Sequence, residues 1–169
     1  LFSLPKEDAL FQWKILIQIV ALAVLSSISG CSLINSASVS TTLPDSLPAL
    51  LGTHWNLYGW GTDNDPQSLL DGTVITLDFA GDGNGLTGRV TGSSGCNDYF
   101  GSYEISGDTI KITDIGATKK YCSVPDGLMT QEDQFFDELK SASGYHVYGE
   151  QLDIDVGGGQ ILFFVAIHQ

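Results

Sequence analysis

From Thr53 onward, apolar and polar residues alternate with period two in short runs, and Gly, Asp and Asn interrupt the runs every few positions. This pattern limits the fold more than any other feature, because strands send successive side chains to opposite faces whereas helices repeat about every 3.6 residues. In Val74 to Phe79, Ile75, Leu77 and Phe79 share one side and Thr76 and Asp78 the other; Leu86 to Thr91 repeats the pattern with Leu86, Gly88 and Val90. Between them Ala80 to Gly85 (AGDGNG) supplies residues that tolerate the positive φ of a hairpin loop. Tyr99 to Ile105 and Thr109 to Ile115 form a second hairpin around Ser106-Gly107-Asp108. His54 to Tyr58 is a further strand with Trp55 and Leu57 on one face, and Gly59 to Asp71, rich in Gly, Asp and Asn with Pro66, reads as a loop. Tyr145 to Tyr148, Gln151 to Val156 and Ile161 to Ile167 complete the strands, with Gly157-Gly158-Gly159 as the last turn. Because ILFFVAI is apolar on both faces, it is predicted to be central and covered.

Helical periodicity occurs once in this region, in Leu128 to Ala142. Leu128, Gln131, Phe135 and Leu139 fall on one stripe with Phe136 beside it. Thr130 with Asp133 has the spacing of a capping box, and Lys140 and Gly144 suit the C-terminal end. The expected fold class is therefore α+β and mainly antiparallel β: a small curved sheet or barrel with one packed helix. A region of about 120 residues is large enough for its own hydrophobic core.

Ahead of this region stands an export pattern. Lys14 precedes an apolar run, Ile15 to Leu25, broken by Gln18, and the run leads to Ile28-Ser29-Gly30-Cys31. That apolar core is too short to span a bilayer, which takes roughly 20 residues, and the tetrapeptide resembles a lipobox. The expected organisation is a lipoprotein signal over residues 1–31, a Ser/Thr-rich linker over 32–52 and a folded domain over 53–169. Cleavage before Cys31 would free that residue for acylation, and chains worth about 0.8 kcal/mol per buried methylene would hold the protein at a membrane. An uncleaved anchor helix is the alternative, and both readings place the domain outside the cytoplasm. Glu7 and Asp8 offset Lys6 and Lys14 where a signal is normally basic, so the signal itself is expected to begin near Phe11.

With Cys31 given to lipid, Cys96 and Cys122 remain as a pair, and an oxidising compartment makes a disulfide the default. Seven Lys and Arg against twenty Asp and Glu give a formal net charge of −13. Such a chain repels phosphate backbones, so nucleic acid is not an expected partner, and acyl chains rather than charge are the expected membrane contact.

The residues offer little to a catalyst. A Cys96 nucleophile would need a base from His54, His146 or His168, and pairing with Cys122 would remove the thiol. Gly92-Ser93-Ser94-Gly95 lacks the spacing of a nucleophile elbow, and Asp82-Gly83-Asn84-Gly85 lacks the distal glutamate of a calcium loop. Asp153 and Asp155 alternate with Leu152, Ile154 and Val156 as the solvated face of a strand. No metal or cofactor is expected. The remaining candidate binding residues are aromatic: Trp55, Tyr58 and Trp60 near the first strand, with Tyr145 and Tyr148 later, as the lining of a barrel mouth or groove.

Gly95-Cys96-Asn97-Asp98-Tyr99-Phe100-Gly101-Ser102-Tyr103 resembles the signature of the META domain, the family that includes the heat-shock lipoprotein HslJ. Trp55-Asn56-Leu57 is similar to the family's opening strand, Ile75 to Phe79 to its second, and Thr118-Lys119-Lys120-Tyr121-Cys122 to its T-x-x-x-C element. The motif residues carried over are Gly95, Cys96, Asn97, Tyr99, Gly101, Tyr103, Thr118 and Cys122. The resemblance implies a small antiparallel barrel or curved sheet with one helix, often behind a lipoprotein signal. It also implies a loose link to heat shock, antibiotic tolerance and, in some parasites, secretion or virulence. The residues themselves suggest a folding device: Asn97 is short enough to bond local backbone in a turn, and Tyr99 and Tyr103 are expected to bury rings on one strand face with hydroxyls near the rim. The expected function is that of a non-enzymatic, monomeric, lipid-anchored protein of the outer membrane or cell surface. It would serve envelope integrity or stress tolerance by contacting another envelope protein. The alternatives are a small-ligand or peptide carrier and an inhibitor of an extracellular hydrolase.

Overall fold

A computed structural model describes residues 47–167. The export pattern, Cys31, the Ser/Thr-rich stretch up to residue 46 and His168 lie outside the described residues. The chain runs α1 (Leu47–Leu50), β1 (His54–Thr62), β2 (Asp65–Ser68), β3 (Thr76–Asp82), β4 (Thr87–Ser93), β5 (Asp98–Ser106) and β6 (Thr109–Ala117). It continues through α2 (Leu128–Lys140), β7 (Gly144–Tyr148), β8 (Gln151–Gly157) and β9 (Gln160–Ile167). All strands join one antiparallel sheet in the order β6-β5-β4-β3-β1-β9-β8-β7, with β2 paired to β1.

The sheet curls without closing. Its two edge strands meet at one end, where the Tyr145 N–H donates to the Asp108 carbonyl (3.0 Å) and the Ile110 N–H to the Ser143 carbonyl (3.4 Å). The alternation read in the sequence becomes the concave face: Trp55, Leu57, Ile75, Leu77, Val90, Ile110, Ile112, Leu152, Ile154, Leu162 and Phe164 are buried in one core. α2 packs onto that core through Phe135, whose ring meets Tyr99 edge-on at 5.5 Å, with Phe136 also on Tyr99 at 5.6 Å. Leu128, Gln131, Glu132, Phe135 and Leu139 form its buried stripe. As expected, β9 is central, between β1 and β8.

The fold includes residues from the stretch expected as linker. Leu50 of α1 is fully buried, and its carbonyl accepts the indole N–H of Trp55 at 3.2 Å. Among the described residues no helix is long and apolar enough to cross a membrane.

Two local expectations are corrected. Gly59 to Asp71 is largely a hairpin rather than a loop: β1 continues to Thr62 and β2 pairs with it, Gly59 opposite Ser68 and Gly61 opposite Pro66. An exposed edge strand needs neither apolar alternation nor a full set of N–H donors, so its composition looks like that of a loop. The capping box is absent as well. α2 begins at Leu128, which makes Thr130 its third residue, and the N-cap is Gly127 with φ 86° and no side-chain cap. The polar side chains of the first turns hold neighbouring loops instead: Gln131 Oε1 accepts the Leu70 N–H at 2.7 Å, and its Nε2 donates to Thr73 Oγ1 at 3.1 Å.

Candidate functional site

The Gly95-Cys96-Asn97 turn connects β4 to β5, and its residues bind three separate parts of the chain. Gly95 has φ 100°, a conformation that disfavours side chains, and a Cβ there would stand 3.0 Å from Leu128 Cδ1 on α2. Cys96 is joined to Cys122 by a disulfide with Cα atoms 5.9 Å apart. Asn97 is 2% exposed, and every polar position of its amide is occupied. Its Oδ1 accepts the Thr118 hydroxyl (2.7 Å) and the Lys120 N–H (2.7 Å), while its Nδ2 donates to the Lys120 carbonyl (3.2 Å) and to Glu132 Oε1 (2.7 Å).

Glu132 is the member of this cluster that the sequence reading missed. It is 4% exposed, and its Oε2 accepts the Asn97 N–H at 2.9 Å as well as the Ser94 hydroxyl. A buried carboxylate is tolerated when donors surround it, and here the donors come from the motif turn. The signal was present in the helical pattern: residue 132 lies four after Leu128 and three before Phe135, on the buried stripe.

Tyr99 and Tyr103 behave as the strand pattern implies. Their rings are buried, and the Tyr99 hydroxyl donates to the Thr76 carbonyl at 2.8 Å and the Tyr103 hydroxyl to the Gly85 carbonyl at 3.0 Å. Burial, reinforced by Asp78, raises the Tyr99 phenol well above its ordinary pKa; burial and Asp82 raise that of Tyr103. Gly101 faces inward, where a Cβ would meet the Thr113 carbonyl at 3.0 Å and Val90 Cγ2 at 3.1 Å. Together the motif residues make a bracket that fastens β4, β5, α2 and the 118–122 segment.

The five aromatic candidates do not share a barrel mouth. Trp55, Trp60 and Tyr145 are core residues, at 0%, 7% and 1% exposure, whereas Tyr58 and Tyr148 are exposed at 45% and 59%. The separation follows strand parity: Tyr145 faces inward and Tyr148, three residues on, faces outward, while Tyr58 alternates outward after Trp55 and Leu57 and a bulge between Leu57 and Gly59 returns Trp60 to the core. Tyr58 lies against Phe163 with centroids 6.0 Å apart, and His146 lies against Tyr148 at 6.0 Å.

His54, His146, Asp153 and Asp155 lie on the outer face of the sheet. His54 Nδ1 pairs with Asp78 Oδ1 at 2.5 Å, and His146 Nε2 lies 3.8 Å from Asp155 Oδ2. Among the described residues no three His, Cys, Asp or Glu side chains converge on a metal position. Asp153 has its carboxyl pKa raised, first by burial and then by Asp63 and Asp155, with His146 opposing them.

Residues 48–168 match the META domain family, and the chain belongs to that family. An NMR structure of a protein from Burkholderia xenovorans is similar at 22% identity and a TM-score of 0.58, covering 79% of this chain and 97% of that one. A second NMR structure is similar at 19% identity and a TM-score of 0.50, covering 70% and 92%. At such identities the likeness concerns the fold. No curated protein matches the chain.

Proposed function

We propose that this chain is a non-enzymatic, lipid-anchored META-domain protein of the cell envelope. Residues 1–31 direct its export, Cys31 carries the acyl chains, and the domain contacts another envelope protein to support envelope integrity or tolerance of heat and antibiotics. The observation that carries this reading is the apolar run Ile15 to Leu25 ending in Ile28-Ser29-Gly30-Cys31. The Cys96–Cys122 disulfide supports it, since such bonds persist in oxidising compartments. A structural role for the family motif supports the non-enzymatic part: the thiols are joined, and the Asn97 amide is spent on the fold.

Metabolic labelling with an alkyne fatty acid tests the anchor. The native chain is expected to take up label and sediment with membranes, and Cys31→Ser to lose both properties. An unlabelled native chain in the cell interior with free thiols at Cys96 and Cys122 would overturn the reading. Deletion of the gene is expected to sensitise cells to heat and envelope-directed antibiotics; unchanged sensitivity would remove the stress-tolerance part. A second reading, a peptide-binding module, is favoured by the exposed rings of Tyr58 and Tyr148.

A further inference from the structure

Tyr58 and Tyr148 stand on one surface, the convex face of β1, β9, β8 and β7. Strand register sets the order of side chains across it. Phe163 is opposite Asp153, and Asp153 opposite His146; one row further, Val165 is opposite Gln151, and Gln151 opposite Tyr148. Tyr58 covers Phe163 at one side, and His146 stacks with Tyr148 at the other. Gln151 Nε2 donates to the Tyr58 hydroxyl at 3.4 Å, linking the two sides. Asp153 therefore lies between two pairs of rings, and Asp155 follows it along β8, opposite Gly144 and Ile161.

The charge of this face is one-sided. The basic residues of the described domain are Arg89, Lys111, Lys119, Lys120 and Lys140, and none belongs to β1, β2, β7, β8 or β9. Three of them are engaged elsewhere: Arg89 over Phe100, Lys120 with Asp98 and Lys140 with Asp137. The charges of Asp63 and Asp155 add to burial in raising the Asp153 carboxyl pKa, and His146 opposes them.

We propose that this face binds an arginine-bearing basic segment of a protein partner. A guanidinium is planar and weakly hydrated, so it can lie on an aromatic ring while pairing its N–H fork with a neighbouring carboxylate. Exposed rings beside carboxylates, on strands that carry no lysine or arginine, offer both contacts at once. An apolar ligand would cover the rings but desolvate Asp153 and Asp155 without a partner. A neutral glycan would stack yet leave the mutual repulsion of the acids in place, and an anionic surface would be repelled. The inference deepens the partner-binding part of the function proposed above and rests on that part alone; export and acylation are read out by a different experiment, so the two can fail separately.

The test uses the full chain in detergent, titrated by calorimetry with an eight-residue peptide alternating arginine and glycine. The same peptide with lysine or glutamate replacing arginine and a neutral N-acetylglucosamine oligomer serve as comparisons. The arginine peptide is expected to bind about tenfold more tightly than the lysine peptide, because the ammonium neither stacks nor forks. Tyr58→Ala and Tyr148→Ala preserve the net charge and truncate exposed side chains, and each is expected to weaken arginine-peptide binding about fivefold while the melting temperature stays close to that of the native chain. Asp153→Asn is expected to weaken it similarly. Equal affinity for the two basic peptides, unaffected by the tyrosine variants, would mean diffuse attraction to an acidic chain and would overturn the proposal. Tighter binding of the neutral oligomer, or no binding of the arginine peptide, would also overturn it.

Discussion

Asn97 donates two hydrogen bonds to Glu132, from its backbone N–H and its Nδ2, both shielded from water; Glu132 also accepts the buried Ser94 hydroxyl, and Asn97 also holds Thr118 and Lys120. Loss of either side chain therefore costs more than one bond. Glu132→Gln keeps the volume but turns an amide donor toward the donors of Ser94 and Asn97, and a loss of about 2 to 3 kcal/mol is expected in urea unfolding. Asp153 is the opposite case. A carboxyl whose pKa is raised in the fold holds its proton more tightly there than in the unfolded chain, so its destabilising effect is absent below the ordinary carboxylate range. That effect grows as pH rises from the ordinary value to the raised one. Asp153→Asn is thus expected to melt higher than the native chain at pH 7, and the difference to close as pH falls to about 3. A residue that costs stability where it stands accords with a role in binding.

The motif segment and α2 are stabilised mainly by what they are tied to. α2 lacks a side-chain cap, and its start is fixed by buried Leu128, by the Leu128 N–H donating to the Pro125 carbonyl (3.2 Å) and by the Glu132 contacts. The disulfide acts on the same unit, since it links the turn before β5 to the segment leading into α2 across 26 residues. Removing it through paired Cys96→Ser and Cys122→Ser changes is expected to cost about 3.5 kcal/mol on the chain-entropy estimate. Hydrogen exchange should show the largest loss of protection in 118–127 and the first turn of α2. Unchanged stability would mean that the Asn97 bonds alone hold the segment. Between strands, close approach is equally demanding: a Cβ at Gly92 would lie 2.0 Å from the Thr76 carbonyl.

On the scale of the molecule, the curled sheet joins its elements through one core and divides charge over its outer surface. Tyr99 lies where β5 meets α2, so its ionisation reports on the whole fold. Its raised pKa keeps the proton on in the native state, so stability is undiminished below the ordinary tyrosine range and falls as pH rises above it. Phenolate absorbance is expected to show Tyr99 ionising together with the loss of tertiary structure above about pH 10. Early ionisation in an intact fold would contradict the packing described.

Strand parity, turn residues and the one helical stripe determined the fold class and most of the core, because those patterns are local and burial of one face enforces them. The β1–β2 hairpin escaped notice because an exposed edge carries no such pattern. Aromatic content alone could not separate Trp55, Trp60 and Tyr145 from Tyr58 and Tyr148, since a single bulge decides which way Trp60 points. Likewise Glu132 looks like a surface acid until α2 is laid against the motif turn. Only the tertiary structure decided these matters, because each depends on which distant residues meet: a buried carboxylate needs its donors, and an exposed ring needs neighbours across the sheet before either has a role.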